Sequence, residues 1–153
     1  MKIFIAGARS IVLADSFIYA KLNSICEHQH QIIVGDCHGV DAMVQQYLAE
    51  RQYQDVVVYA SNGRPRNNIG KWNVTNVPVP SSMPRYAFYR QKDIAMAEDA
   101  DYGFMIWDGV SRGTAQNILT LARQGKKVLI YNPHTKNQAI VRSYSDAQQL
   151  VLQ

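Results

Sequence analysis

Tyr102 to Gln124 reads YGFMIWDGVSRGTAQNILTLARQ. Tyr102 to Trp107 is an apolar run of strand length. From Thr114 onward, Ala115, Ile118, Leu119 and Ala122 recur at the spacing of a helix lying on a core. Between them stand Asp108, Gly109, Ser111, Arg112, Gly113 and Thr114. A strand that passes through a small glycine-bearing loop into a helix presents unpaired backbone N–H groups at a positive dipole end. Such a loop suits an anion, and phosphate is its commonest occupant. The plainer alternative is a tight turn with Ser111 or Thr114 as helix cap.

The same strand, glycine loop and helix pattern occurs twice upstream. Lys2 to Ala6 reads as a buried strand and is followed by Gly7-Ala8-Arg9-Ser10. Asp15 then caps a helix marked by Ile18, Leu22 and Ile25. Gln31 to Val34 forms the second strand and runs into Gly35-Asp36-Cys37-His38-Gly39-Val40-Asp41. Val40, Met43, Val44, Tyr47 and Leu48 give the next helical stripe. Asp41, in its first turn, complements the helix dipole and is also placed to accept from sugar hydroxyls. Asp55 to Ala60 is the third strand.

Residues 61–84 show no period. They hold prolines, glycines and Trp72, with a short strand expected at Val77 to Val79. A loop this long in a small domain is expected to be functional, here as a flap over a ligand. Arg85 to Ala100 is a helix whose inward face carries Arg90 and Asp93 where apolar residues belong, and buried charge needs a partner or a ligand. Lys126 to Tyr131 is the last strand. Ser145 with Gln148 resembles a capping box opening a final helix.

Strands alternating with helices require a parallel sheet covered on both faces. The expected architecture is a three-layer Rossmann-like α/β sheet of about five strands, forming a single domain over 1–153. Ligands of such sheets bind at the C-terminal strand ends where strand order reverses. Every glycine loop found here leaves a C-terminal strand end, so the loops converge.

Charge narrows the partners. Six of the 16 basic residues (Arg64, Arg66, Lys71, Arg85, Arg90, Lys92) fall between Ser61 and Lys92 without an acidic one, leaving ten basic against 12 acidic elsewhere. A local cationic patch suits a phosphorylated small molecule or a nucleic-acid strand. No apolar run reaches the roughly 20 residues of a membrane span, and the N-terminus shows no signal-peptide core. Two cysteines, Cys26 and Cys37, imply no disulfide framework, so a cytoplasmic protein is expected. Cys26, His28, His30 and Cys37 match no usual zinc spacing, and neither a metal nor a cofactor is expected. The G-x-G-x-x-G, P-loop and G-x-S-x-G patterns are all missing.

The loops Gly35 to Asp41 and Trp107 to Thr114, with the helix Arg90 to Met96 followed by Ala100-Asp101, resemble in order those of the SLOG superfamily, above all its small bacterial YspA-type members of unknown function. The resemblance covers nearly the whole chain. It implies a Rossmann-like fold that binds a nucleotide or nucleotide derivative, and a homo-oligomer. The superfamily includes phosphoribohydrolases, whose signature ends P-G-G-x-G-T-x-x-E. Gly113 and Thr114 match that signature. Asn117 stands at the Glu position and Val110 to Arg112 replace the paired glycines. The helical Arg of those enzymes falls nearest Lys92, with Arg90 two residues away.

Three functions follow as expectations. In the first, a nucleotide binds through Gly7, Arg9, Ser10, Gly35, Asp36, Gly39, Asp41 and the 108–114 loop, including Gly109, with Trp72 or Trp107 stacking on its base. In the second, an N-glycosidic bond is hydrolysed with Arg90 and Asp93 as catalytic groups. In the third, single-stranded nucleic acid binds along the basic stretch, with Trp72, Tyr86 and Tyr89 as stacking platforms.

Overall fold

In the computed structural model, which describes residues 1–152, the first strand already shows how the molecule is layered. Along β1 (Lys2–Gly7), Ile3 and Ile5 face one apolar cluster, while Phe4 and Ala6 face another on the opposite side. A strand buried on both faces must be apolar throughout, as Lys2 to Ala6 is. The first cluster is closed by α1 (Ser16–Glu27) and α2 (Val40–Glu50), through Ile18, Leu22, Val44 and Leu48. The second is closed by α3 (Arg85–Asp99), α4 (Arg112–Arg123) and α5 (Tyr144–Val151), through Met96, Ala97, Ile118, Leu121 and Ala147.

The central sheet has seven strands. To β1 are added β2 (Gln31–Val34), β3 (Val56–Ser61), β4 (Asn73–Val77), β5 (Tyr102–Ile106), β6 (Lys127–Asn132) and β7 (Asn137–Val141). Their order is β4-β3-β2-β1-β5-β6-β7. All neighbours are parallel except β6 and β7. The Rossmann-like α/β expectation holds, and the strand count of about five is corrected to seven. The two additions are the edges. β4 reads Asn-Val-Thr-Asn-Val and β7 reads Asn-Gln-Ala-Ile-Val, each with most residues exposed. An edge strand meets solvent and needs no apolar pattern, so β7 did not stand out and the strand expected near β4 overlaps it only at Val77. β4 also begins four residues before the expected strand at Val77 to Val79.

Two helix starts also differ. Helix α4 begins at Arg112, two residues before Thr114. Helix α5 is capped by Ser143, which accepts from the Asp146 N–H, and not by Ser145. Asp15 caps α1 as expected, accepting from the Ile18 N–H at 3.0 Å.

Strand β1 is the hub, and its last residue tolerates no side chain. A Cβ on Gly7 would lie 2.2 Å from the Ile106 carbonyl oxygen and 2.6 Å from a Val40 methyl. At Gly113 an added Cβ meets nothing within 4 Å. We therefore expect Gly7→Ala to destabilise by about 1–3 kcal/mol through overpacking. Gly113→Ala should be neutral or stabilising by about 0.5–1 kcal/mol through helix propensity. Urea midpoints of the two variants check the pair, and equal costs would contradict the packing at β1.

Candidate functional site

Strand order reverses between β1 and β5, and the loops leaving their C-terminal ends are stitched together there. The Ala8 N–H donates to the Ile106 carbonyl at 3.1 Å, and the Val40 N–H donates to the Ala8 carbonyl at 3.2 Å. Gly39 caps α2 at φ 78, with its added Cβ only 2.4 Å from the Arg9 Cα, so the loop after β2 lies directly against the loop after β1. The Ser10 hydroxyl donates to Asp108 Oδ2 at 3.0 Å, tying in the loop after β5. The convergence expected from the glycine loops is present. Between these loops and α3 opens a cavity of about 720 Å³.

Asp108 organises one wall. Its carboxylate accepts from the backbone N–H groups of Val110 (3.0 Å) and Ser111 (2.7 Å) and from the Ser111 hydroxyl (2.8 Å). Burial works to raise its pKa, but these hydrogen bonds outweigh it and hold the carboxyl below its ordinary value. Asp108 is thus a staple for its own loop. Ser111 is the N-cap of α4, but its side chain makes no capping bond. The first helical bond runs from the Ala115 N–H to the Ser111 carbonyl, so the N–H groups of Arg112, Gly113 and Thr114 have no partner within the helix. All three residues line the cavity.

Helix α3 supplies the opposite wall. Tyr86 and Tyr89 stand near the mouth, flanked by guanidiniums. Arg112 lies 4.9 Å from the Tyr86 ring centre, and Arg66 and Arg85 lie 3.9 and 5.9 Å from that of Tyr89. One to two turns deeper are Arg90, Lys92 and Asp93. Arg90 donates to Asn117 Oδ1 and, at 2.8 Å, to Thr120 Oγ1, and sits 3.6 Å from Asp93. Lys92, 4% exposed, donates to Asp93 Oδ1 at 2.8 Å. In the sequence Lys92 belongs to the basic stretch and falls nearest the helical Arg of the phosphoribohydrolases; its burial is also legible, since it precedes Met96 and Ala100 by four and eight residues on the same helical face.

At the floor, Asp41 accepts from the Cys37 N–H at 3.1 Å. Desolvation is the largest influence on its carboxyl, followed by the opposing pull of Lys92, and the balance raises its pKa from 3.8 to about 7.

Of the residues expected at the site, Gly7, Arg9, Ser10 and Asp41 line the cavity, as do Asp108 and Ser111 to Thr114, and Arg90 with Asp93. Gly35, Asp36, Gly39 and Gly109 stand behind the lining. Gly35 leaves room for the floor: its added Cβ would fall 2.6 Å from Asp41 Oδ2. Asp36, 1% exposed, anchors Arg66 by both its backbone N–H and its guanidinium, each at 2.8 Å. Asn67 and Ile69 are fastened to the loop after β2 and to Gln45 of α2. The expected flap is therefore, up to Trp72, a crossover packed against α2. Lys71 leads into β4, whose first residue pairs with Val57 near the start of β3, so it belongs to the other end of the sheet.

Both tryptophans are structural. Trp72 is 8% exposed and its indole N–H donates to the Tyr53 carbonyl. Trp107 is 7% exposed and donates to the Ser111 carbonyl. The aromatic rings that line the cavity are those of Tyr86 and Tyr89.

No family model matches the chain, and no curated protein matches it in sequence. Among solved structures, DNA processing protein A from Helicobacter pylori, described for its single-stranded DNA binding mode, is similar with a TM-score of 0.65 at 11% identity. The match covers 97% of this chain and 71% of that one. It is a likeness of fold and supports the Rossmann-like α/β architecture.

Asp41 gives this site a testable pH signature. Its pKa is higher folded than unfolded, so the folded state binds more protons and stability falls as pH rises from about 4 to about 7. We expect Asp41→Asn to gain stability relative to wild type over that interval, by on the order of a few kcal/mol. Urea midpoints at pH 5 and pH 8 measure it. A difference between the two proteins that does not change with pH would contradict the buried carboxyl.

Proposed function

We propose that this chain binds single-stranded nucleic acid and seats one nucleotide of the strand in the cavity between β1 and β5. One observation carries the reading: a single cavity holds both the free N–H groups at the start of α4 and the rings of Tyr86 and Tyr89 with their arginines. Three unpaired N–H groups at a helix start form a phosphate seat. An aromatic face accepts a base that is not already stacked in a duplex. Arg9, Arg85 and Arg112 place positive charge around the mouth, where flanking phosphates would run. The Helicobacter pylori protein of the same fold, whose description is of single-stranded DNA binding, supports this choice of ligand.

Membership of the SLOG superfamily, a single domain over 1–153 and a cytoplasmic location belong to the same proposal. No described helix is long and apolar enough to cross a membrane.

A second reading is favoured by the cavity's size. About 720 Å³ lies within the range of small-ligand sites, so a free nucleotide is the alternative occupant. For hydrolysis of its glycosidic bond, Asp93 would have to act from within its contacts to Lys92 and Arg90.

Fluorescence polarisation with labelled oligonucleotides of increasing length separates the readings. We expect affinity to rise with length and to fall steeply with salt. Tyr86→Ala should weaken binding by about 1–3 kcal/mol, and Arg112→Ala should flatten the salt slope by about 0.7. A mononucleotide that binds as tightly as the longest strand would transfer the site to the second reading. No binding of either at low salt would remove both.

A further inference from the structure

The cavity floor holds hydrogen-bonding capacity that the protein does not use. Lys92 carries three ammonium hydrogens and is 4% exposed, and Asp93 Oδ1 is the acceptor it meets among the described residues. Asp41 is 7% exposed; its Oδ2 accepts from Cys37, and its Oδ1 meets no donor among them. The two groups are close neighbours, since one added Cβ at Gly35 would lie 2.6 Å from Asp41 Oδ2 and 3.3 Å from Lys92 Nζ. Both residues line the cavity. A buried charge with unmet hydrogen bonds is costly unless something supplies them.

The chemistry of the missing partner is restricted. It must accept from an ammonium and donate to a carboxylate within a small space. A phosphate only accepts, and it would face the carboxylates of Asp41 and Asp93. A hydroxyl does both. Its position is restricted as well. Lys92 follows Tyr89 by three residues on the same face of α3, one turn deeper. The α4 start forms the facing wall. A nucleotide with its base on the tyrosines and its phosphate on α4 brings its sugar between them.

Resting on the reading that one nucleotide of a strand enters this cavity, we propose that Asp41 and Lys92 hold its ribose 2′-hydroxyl, so that the site selects RNA over DNA. Asp41 accepts the hydroxyl hydrogen and Lys92 donates to its oxygen. Asp93 is a positioning residue that keeps the Lys92 ammonium at the floor. A deoxyribose leaves both groups unmet, and that loss is the source of discrimination.

The test uses the intact chain with labelled oligomers of uridine, deoxyuridine, adenosine and deoxyadenosine, all of one length. We expect both ribo forms to bind about tenfold tighter than their deoxy counterparts, and Asp41→Ala, which removes the acceptor, to bring that ratio to about one. Should Asp41→Ala fail to fold, the wild-type protein with 2′-O-methyl oligomers carries the same test. Removing the hydroxyl hydrogen must then abolish the preference. Equal binding of ribo and deoxy strands would overturn the 2′-hydroxyl assignment while leaving strand binding intact. A preference that follows the base rather than the sugar would do the same and give the floor to a base edge. Loss of binding to every oligomer would remove strand binding itself, and this inference with it.

Discussion

A parallel sheet whose strand order reverses must open a crevice at the reversal, because the chain leaves the two adjoining strands toward opposite faces. Here the adjoining strands are β1 and β5. From β1 the chain turns to α1 on one face, and from β5 to α4 on the other. Everything at the candidate site follows from that divergence. The backbone bonds from Ala8 to Ile106 and from Val40 to Ala8 fix the depth of the crevice. The close approach at Gly7 and Gly39 leaves no side chain at those two points to fill it.

The electrostatics divide within this geometry. Asp108 takes up the amides of Val110 and Ser111, so the free N–H groups lie just beyond them, at the start of α4. The floor is different in kind. Burying Lys92 beside Asp93 and Asp41 is a poor way to stabilise a fold, since the desolvation of each ion offsets much of their attraction and apolar residues of similar volume would serve as well or better. These three ionisable groups gather where the sheet provides a cavity, and fold stability alone does not account for them. The cavity surfaces therefore differ in chemistry: free amides with an arginine on one wall, tyrosine rings with arginines on the other, and a mixed donor and acceptor floor.

The sequence carried the central strands and the helices plainly, because burial on both faces imposes a continuous apolar run and burial on one face imposes a helical stripe. Gln31 to Val34 and Val40 at the head of α2 are of this kind, and Asp15 was legible separately, as a capping residue ahead of a helical stripe. β7 was silent and β4 was anticipated only at its end, because solvent on one side of these edge strands relaxes the demand for apolar residues. Tryptophans in or beside the candidate loops pointed the wrong way. Trp72 and Trp107 looked like stacking platforms, yet each is buried with its indole N–H bonded to a backbone carbonyl, and nothing in the local sequence distinguishes the two roles. The glycine loops showed where a site would form. They did not show that Asp36 lies behind the wall holding Arg66 in place, a long-range pairing that depends on the crossover folding back along α2. Arg90 and Asp93 were legible because charge interrupts an apolar face, and Lys92 required following that face one turn further back.

The central claim is that the start of α4 holds the phosphate of a nucleotide while the rings of α3 hold its base. Amide chemical shifts on titration with a short 5′-phosphorylated single strand test it most directly. The account predicts that the largest changes fall on the N–H groups of Arg112, Gly113 and Thr114, with ring-current shifts at Tyr86 and Tyr89. Changes confined to the loop around Lys71, or to the faces of α1 and α2, would contradict it.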